Sequence, residues 1–242
     1  MWLIIAPEEY LNDELEIRGP RFHHLARVCR VRVGEVLRAA LPNGRVVRAE
    51  VSEITADAVR ARIDAEESPA DLPPCRITLY QAVLKGEKMD FVVQKATELG
   101  ACTLVPLQAR RSVPRWTSEQ ALERAGRWQR IADAAAEQCE RSIPLQVEPP
   151  QCLTAAIAAQ PPLALLLHER NGQNLRELAA AHLCVTDLGL YLGPEGGWDD
   201  EEVQILRAAG VLPVHLGPRI LRAETAAVTA LALAQYLWGD LG

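Results

Sequence analysis

The chain has 242 residues, of which 49% are hydrophobic and 24% charged, with a formal net charge of −6. That length suits one large domain or two small ones, and the composition is that of an ordinary folded protein. No apolar run is long enough to cross a bilayer, and the opening Met1-Trp-Leu-Ile-Ile-Ala-Pro lacks a basic leader, so a cytoplasmic protein with no membrane partner is expected.

The six cysteines, at 29, 75, 102, 139, 152 and 184, form no C-x-x-C pair. A metal needs ligands gathered in a small volume, so no metal site is expected. The negative net charge argues against a nucleic-acid partner, but its distribution argues the other way. Eight arginines (18, 21, 27, 30, 32, 38, 45 and 48) stand against the single acid Glu35 in one stretch. A second group holds Arg110, Arg111, Arg115, Arg124, Arg127 and Arg130 against Glu119 and Glu123. The local field decides whether phosphates are attracted, although a solvated surface would give the same pattern.

Residues 1 to about 70 read as short strands. Val28 to Leu37 alternates loosely, and Val31-Arg-Val-Gly-Glu-Val-Leu-Arg38 carries apolar residues two apart. Pro42-Asn-Gly-Arg45 supplies a tight turn, Val46–Val51 a partner strand and Ala58–Ile63 another. Several short strands with tight turns predict a small barrel. The polar, proline-rich Glu66–Pro74 reads as a linker.

Beyond it the pattern alternates between strands and helices. Ile77–Val83 is a strand, and Met89, Val92, Val93, Ala96 and Leu99 share one helical face that stops at Gly100. Leu104–Leu107 is β-like. Thr117-Ser-Glu-Gln120 is a capping box for a long helix that should turn Leu122, Ala125, Trp128, Ile131, Ala132, Ala135 and Cys139 inward. Leu163–Leu167 and Leu188–Gly193 are near-continuous apolar runs, as strands covered on both faces should be. Asp199 and Glu202 cap a helix ending near Gly210, Val211–Leu216 is a strand, and a last helix runs from about Glu224 to Trp238. This alternation predicts an α/β domain with a mainly parallel sheet.

Ligands of such sheets collect at the carboxyl ends of the strands. Three ends stand out: Leu167-His-Glu-Arg170, Gly193-Pro-Glu-Gly-Gly197, and Leu216-Gly-Pro-Arg-Ile-Leu-Arg-Ala-Glu-Thr-Ala226. The glycines let a backbone approach a ligand closely beside a helix start, although a plain turn would use them too. The segment matches neither the phosphate-binding loop nor the dinucleotide fingerprint. In the third end, Ile220 and Leu221 interrupt a charged loop, as they would if they walled a pocket.

These two glycine-containing ends, with Gly86-Glu-Lys-Met-Asp-Phe-Val-Val-Gln-Lys-Ala-Thr-Glu-Leu-Gly100, Ala136-Glu-Gln-Cys139 and Arg21-Phe-His-His-Leu-Ala-Arg-Val-Cys-Arg30, resemble the RsmE family of 16S ribosomal RNA uridine N3-methyltransferases in the SPOUT superfamily. The resemblance covers nearly the whole chain. It implies a PUA-like, RNA-binding β-barrel over residues 1–70. It further implies a SPOUT α/β domain over 75–242 with a parallel sheet and a trefoil knot near the carboxyl end. The active form would be a homodimer acting on 16S ribosomal RNA or the small subunit.

By the same resemblance S-adenosylmethionine would lie against Leu167, His168, Glu169, Gly193, Gly197, Leu216, Ile220 and Leu221. Arg222, with Glu195 or Glu224 orienting, would stabilise charge on the uracil oxygens during catalysis; a salt bridge between Arg222 and Glu224 is the structural alternative. Arg21, His24, Arg27, Arg30 and Arg32 are the candidate RNA contacts, joined by Arg110 and Arg111. Tyr191 and Trp198 suit either base stacking or core packing. A SPOUT enzyme for another RNA, or a non-catalytic RNA-binding protein of this fold, would carry the same pattern.

Overall fold

The structure is a computed structural model that describes residues 1–11, 13–43, 45–67, 73–112, 116–169 and 172–241. Gly44 of the Asn-Gly turn, Ser68–Leu72 of the linker, Arg115 and Arg170 lie outside the described residues. Two compact units emerge: Met1–Asp71 with Ala136–Ile143, and Leu72–Ala135 with Pro144–Gly242.

The first unit contains β1 (Trp2–Ile4), β2 (Tyr10–Leu11), β3 (Glu14–Arg18), a short helix α1 (Gly19–His23), β4 (Val36–Ala40), β5 (Val46–Ile54) and β6 (Ala58–Glu67). They form one curled six-stranded sheet in the order β1-β4-β5-β6-β3-β2. Alternation sets its inner face. Val47, Ala49 and Val51 of β5 are buried while Arg48, Glu50 and Ser52 face out, and Leu15, Ile17, Leu37 and Val59 complete the core. Register shifts between Arg48 and Ala49 and between Val51 and Glu53 add local twist, which helps a short sheet to curl.

The strand expected over Val31–Arg38 begins only at Val36. Before it the chain is helical: α1 runs into a π-helical turn, His24–Cys29, which Arg30 ends with φ 55°. The apolar spacing there serves a helix, for Phe22 and Leu25 enter the core. Val31–Glu35 is then a turn pinned by Gly34 N–H donating to Val51 O at 2.8 Å and Val51 N–H to Glu35 O at 2.9 Å.

Most arginines of this unit are paired with acids distant in sequence. Arg18 bonds Glu16 and Asp57, Arg38 bonds Glu67 at 2.8 Å, Arg45 bonds Glu66 at 2.6 Å and Arg48 bonds Asp64 at 3.0 Å. Arg21 reaches Glu9 at 2.5 Å and Glu137 at 2.7 Å. The linear stretch looked purely basic because strand pairing brings its counter-charges from elsewhere.

The second unit holds β7 (Arg76–Ala82), α2 (Glu87–Glu98), β8 (Thr103–Leu107), α3 (Ser118–Gln138, of which Ala136 to Gln138 count with the first unit), β9 (Gln146–Val147), α4 (Leu153–Ala158), β10 (Leu163–Leu167), β11 (Gln173–Asn174), α5 (Leu175–Ala181), β12 (Asp187–Leu192), α6 (Asp200–Ala208), β13 (Leu212–His215) and α7 (Ala223–Trp238). Its seven strands are all parallel, in the order β11-β13-β10-β12-β7-β8-β9. One face packs on α2 and α7 through Ile77, Leu79, Leu190, Met89, Val93, Leu231 and Ala234. The other buries Tyr80, Leu166, Tyr191, Leu206 and Val211.

Both caps read from the sequence are formed. Thr117 and Gln120 bond reciprocally at 3.1 and 3.3 Å, as do Asp199 and Glu202. Leu122, expected inward, is 60% exposed; Ala121 and Ala125 take the buried positions of that turn, so the inward face of α3 starts one residue earlier.

The strand order has one unusual feature. β13, last in the chain, lies between β10 and β11, which are nearly consecutive in sequence. β10 and β11 therefore lie on opposite sides of the last strand. Gly172 marks the approach: a Cβ there would lie 2.7 Å from the Pro213 carbonyl carbon and oxygen and from Val214 N.

Candidate functional site

Because β7, β10, β12 and β13 are parallel, their carboxyl ends share one edge of the sheet. A cavity of about 320 Å³ opens there. All three ends singled out in the sequence contribute. Leu167 ends β10 and His168 and Glu169 follow it, Gly193 to Trp198 follow β12, and Leu216 with Arg219 to Glu224 lead from β13 into α7. The eleven residues expected for donor binding or catalysis all line this one cavity.

The glycine segment is shaped by its neighbours. Gly197 N–H donates to Pro194 O at 2.9 Å, closing a turn, and Asp199 then caps α6. Arg111 donates to Gly196 O at 3.2 Å and pairs with Asp199 at 3.5 Å. Arg110 pairs with Asp199 and Glu201, while its amide donates to Glu202 at 2.9 Å. Two residues expected to meet RNA thus brace the loop, Arg111 also lining the cavity.

Ile220 lines the cavity and is 61% exposed there. Gly217, with φ 111°, leaves only open space where a Cβ would project.

The charged group centres on a residue that sequence reasoning did not select. Lys88 sits in the first turn of α2, just beyond the end of β7, with its Nζ 3.4 Å from Glu195 Oε1 and 3.7 Å from Glu224 Oε2. The strand-end rule points to it, since it stands six residues past β7. Glu195 Oε1 also accepts the Lys85 amide at 3.1 Å. Partial burial raises the Glu195 carboxyl, but its own and the Lys85 amides and the Lys88 ammonium outweigh this and hold it below the usual range. The alternative bridge between Arg222 and Glu224 is not formed among the described residues; Arg222 is exposed at the cavity and Glu224 turns to Lys88.

Two polar atoms of cavity residues lack a hydrogen-bond partner among the described residues: Trp198 Nε1 and Glu224 Oε2. Tyr191 is fully buried, stacked on Tyr80 with centroids 4.3 Å apart, and its hydroxyl reaches Gln160 at 3.1 Å. Burial raises its phenol well above the ordinary value. Core packing, not base stacking, accounts for it.

In the first unit, His24, Arg27, Arg30 and Arg32 are exposed, and the three arginines make no ion pair among the described residues. All four stand on the π-helical turn and the loop after it. Arg21 differs, being clamped between two carboxylates.

Comparison with known proteins agrees with this geometry. Residues 71–235 match the RNA methyltransferase domain family and residues 17–64 the RNA methyltransferase PUA domain. Ribosomal RNA small subunit methyltransferase E of Synechocystis is 35% identical over 95% of this chain and 75% of its own length. A methyltransferase of Legionella pneumophila solved with bound SAM superposes with a TM-score of 0.89 at 32% identity, covering 99% of this chain and 98% of that one. Ribosomal RNA small subunit methyltransferase E of Neisseria gonorrhoeae, bound to S-adenosyl methionine, gives 0.87 at 30% identity, covering 100% and 99%. The SPOUT-type parallel α/β architecture with a PUA-like curled sheet, expected from the motifs, is the one found. The chain belongs to the ribosomal RNA small subunit methyltransferase E family of RNA methyltransferases.

Proposed function

We propose that this chain transfers a methyl group from S-adenosylmethionine to N3 of a uridine in 16S ribosomal RNA, working in the cytoplasm as a homodimer. The observation that carries the reading is the single cavity at the parallel strand ends, lined by all three loops.

The residues present suit the donor. Leu167, Leu216, Ile220 and Leu221 offer apolar surface for an adenine ring, the glycines admit close main-chain approach, and the exposed Glu169 carboxylate stands ready for a cationic group. The donor supplies an electrophilic methyl group on a sulfonium, and no metal ligand set is needed for that chemistry. The chain's part is positioning and electrostatics. Arg222, exposed at the cavity, stabilises the negative charge that develops on the uracil oxygens as N3 becomes nucleophilic. N3 lies on the Watson–Crick edge, so the target uridine enters unpaired. Residues 1–70 bind RNA in this reading, with His24, Arg27, Arg30 and Arg32 meeting phosphates. Residues 75–242 carry the chemistry.

The test is to incubate the full chain and labelled donor with small subunits, free 16S ribosomal RNA or transfer RNA, and identify the product nucleoside by mass spectrometry. The reading expects N3-methyluridine from small-subunit RNA. Label entering only transfer RNA would assign a different substrate, and no label anywhere, with no binding of S-adenosylhomocysteine, would leave an RNA-binding protein without catalysis.

A further inference from the structure

We propose that Glu224 takes the proton from uridine N3 and that Lys88 is the positioning residue that holds it in place. This rests on the function proposed above and adds the proton acceptor that reaction requires.

The Glu224 side chain is only 16% exposed, yet its Oε2 has no hydrogen-bond partner among the described residues. Lys88 Nζ, at 3.7 Å, is near enough to attract the carboxylate and too far to hydrogen-bond it. A buried carboxylate oxygen left in that state is a strong acceptor waiting for a donor. Glu195 is not equivalent. Its Oε1 already accepts the Lys85 amide and faces the ammonium, so it fixes Lys88 and is poorly disposed to take a proton. Glu169, the third carboxylate of the cavity, is exposed, where water competes for it.

The charge pattern points the same way. The Watson–Crick edge of uracil presents an acceptor, a donor and an acceptor: O2, N3–H and O4. Glu224 and Arg222 line the same cavity and offer a carboxylate for N3–H and a cation for a flanking oxygen. Cytosine carries an acceptor at N3 and a donor at N4, so it would set like groups against each other. The Glu224–Arg222 pair therefore favours uridine, with Lys88 acting only through Glu224.

In the step, the N3–methyl bond forms as the methyl–sulfur bond breaks, with the electron pair of that bond leaving on sulfur. The N3 proton passes to Glu224, which returns it to water after the products part.

The experiment uses the full chain, small subunits lacking the methyl group, and Glu224→Gln, which keeps shape and removes the basic site. Loss of a general base lowers kcat about 100-fold or more. S-adenosylhomocysteine binding, read by calorimetry, is expected to stay unchanged. The residual rate of Glu224→Gln should climb steadily with pH as solvent takes over the proton. Lys88→Met should lower kcat, and Lys88→Arg should restore much of it. An E224Q variant with wild-type kcat would overturn the assignment while leaving the function standing. So would one whose donor binding collapsed while kcat at saturating donor held, because the carboxylate would then be gripping the donor's ammonium group. A wild-type chain that methylated no ribosomal RNA would remove the function and this assignment together.

Discussion

A Cβ placed on Gly193 would lie 3.1 Å from both Cδ1 and Nε1 of Trp198. The indole is 8% exposed and packed in a cluster with Tyr191, Leu206 and Val211, so it has little room to retreat. Gly193→Ala should therefore displace the loop. Overpacking of this kind costs about 1–3 kcal/mol, and the displaced wall should weaken S-adenosylhomocysteine binding roughly tenfold. Calorimetry and chemical denaturation of the variant check both.

Gly172→Ala tests the close approach to the last strand. The added carbon would meet main-chain atoms of Pro213 and Val214 at 2.7 Å, and backbone cannot swing aside as a flexible side chain can. The loss expected is about 3 kcal/mol or more. Gly210→Ala is the comparison, since Gly210 has φ 85° but nothing within 4 Å of a Cβ. It should cost only the left-handed strain of about 1–2 kcal/mol. Equal denaturation midpoints for the two variants would remove the close approach from the account.

Arg222→Ala should separate chemistry from binding. Removing one donor to a developing oxyanion lowers kcat about 100- to 1000-fold. Single-turnover methylation at saturating donor should register that fall while calorimetry finds donor affinity intact. A variant as fast as the wild type would refute the role.

The arginines of the first unit divide into two classes with opposite expected behaviour. Arg27, Arg30 and Arg32 are exposed without ion pairs among the described residues, whereas Arg38, Arg45 and Arg48 are paired with Glu67, Glu66 and Asp64. Replacing the first three by alanine should weaken RNA binding without altering the melting temperature. The slope of log affinity against log salt should flatten by about 0.7 for each phosphate no longer neutralised. Replacing the second three should change RNA binding less. Filter binding across a salt series distinguishes them.

The second unit was largely legible in the sequence because strands buried on both faces are near-continuous apolar runs, as Leu163–Leu167 and Leu188–Leu192 are. Its caps were legible because Thr117 with Gln120 and Asp199 with Glu202 follow a local rule. What failed was non-local or mixed in period. The segment from Val28 to Leu37 alternates enough to suggest a strand, but it starts inside the π-helical turn and becomes a strand only at Val36; Pro20 in the first turn of α1 was an available helix signal. Arg18, Arg38 and Arg48 looked unpaired because Asp57, Glu67 and Asp64 reach them only through strand register. Lys88 escaped notice because its partners lie more than a hundred residues away, Glu195 on the loop after β12 and Glu224 in the first turn of α7.

The position of β13 between β10 and β11 also bears on synthesis. A ribosome releases the chain from its amino end, so the first unit can fold while the cavity still lacks a wall. Neither Leu216 nor Glu224 exists as a surface until that final strand has slid into its slot and the helix behind it has begun. A nascent or prematurely terminated polypeptide would thus display the exposed Arg27, Arg30 and Arg32 of the first unit without a finished cavity, so on the proposed function the capacity for RNA contact would precede the capacity for methyl transfer.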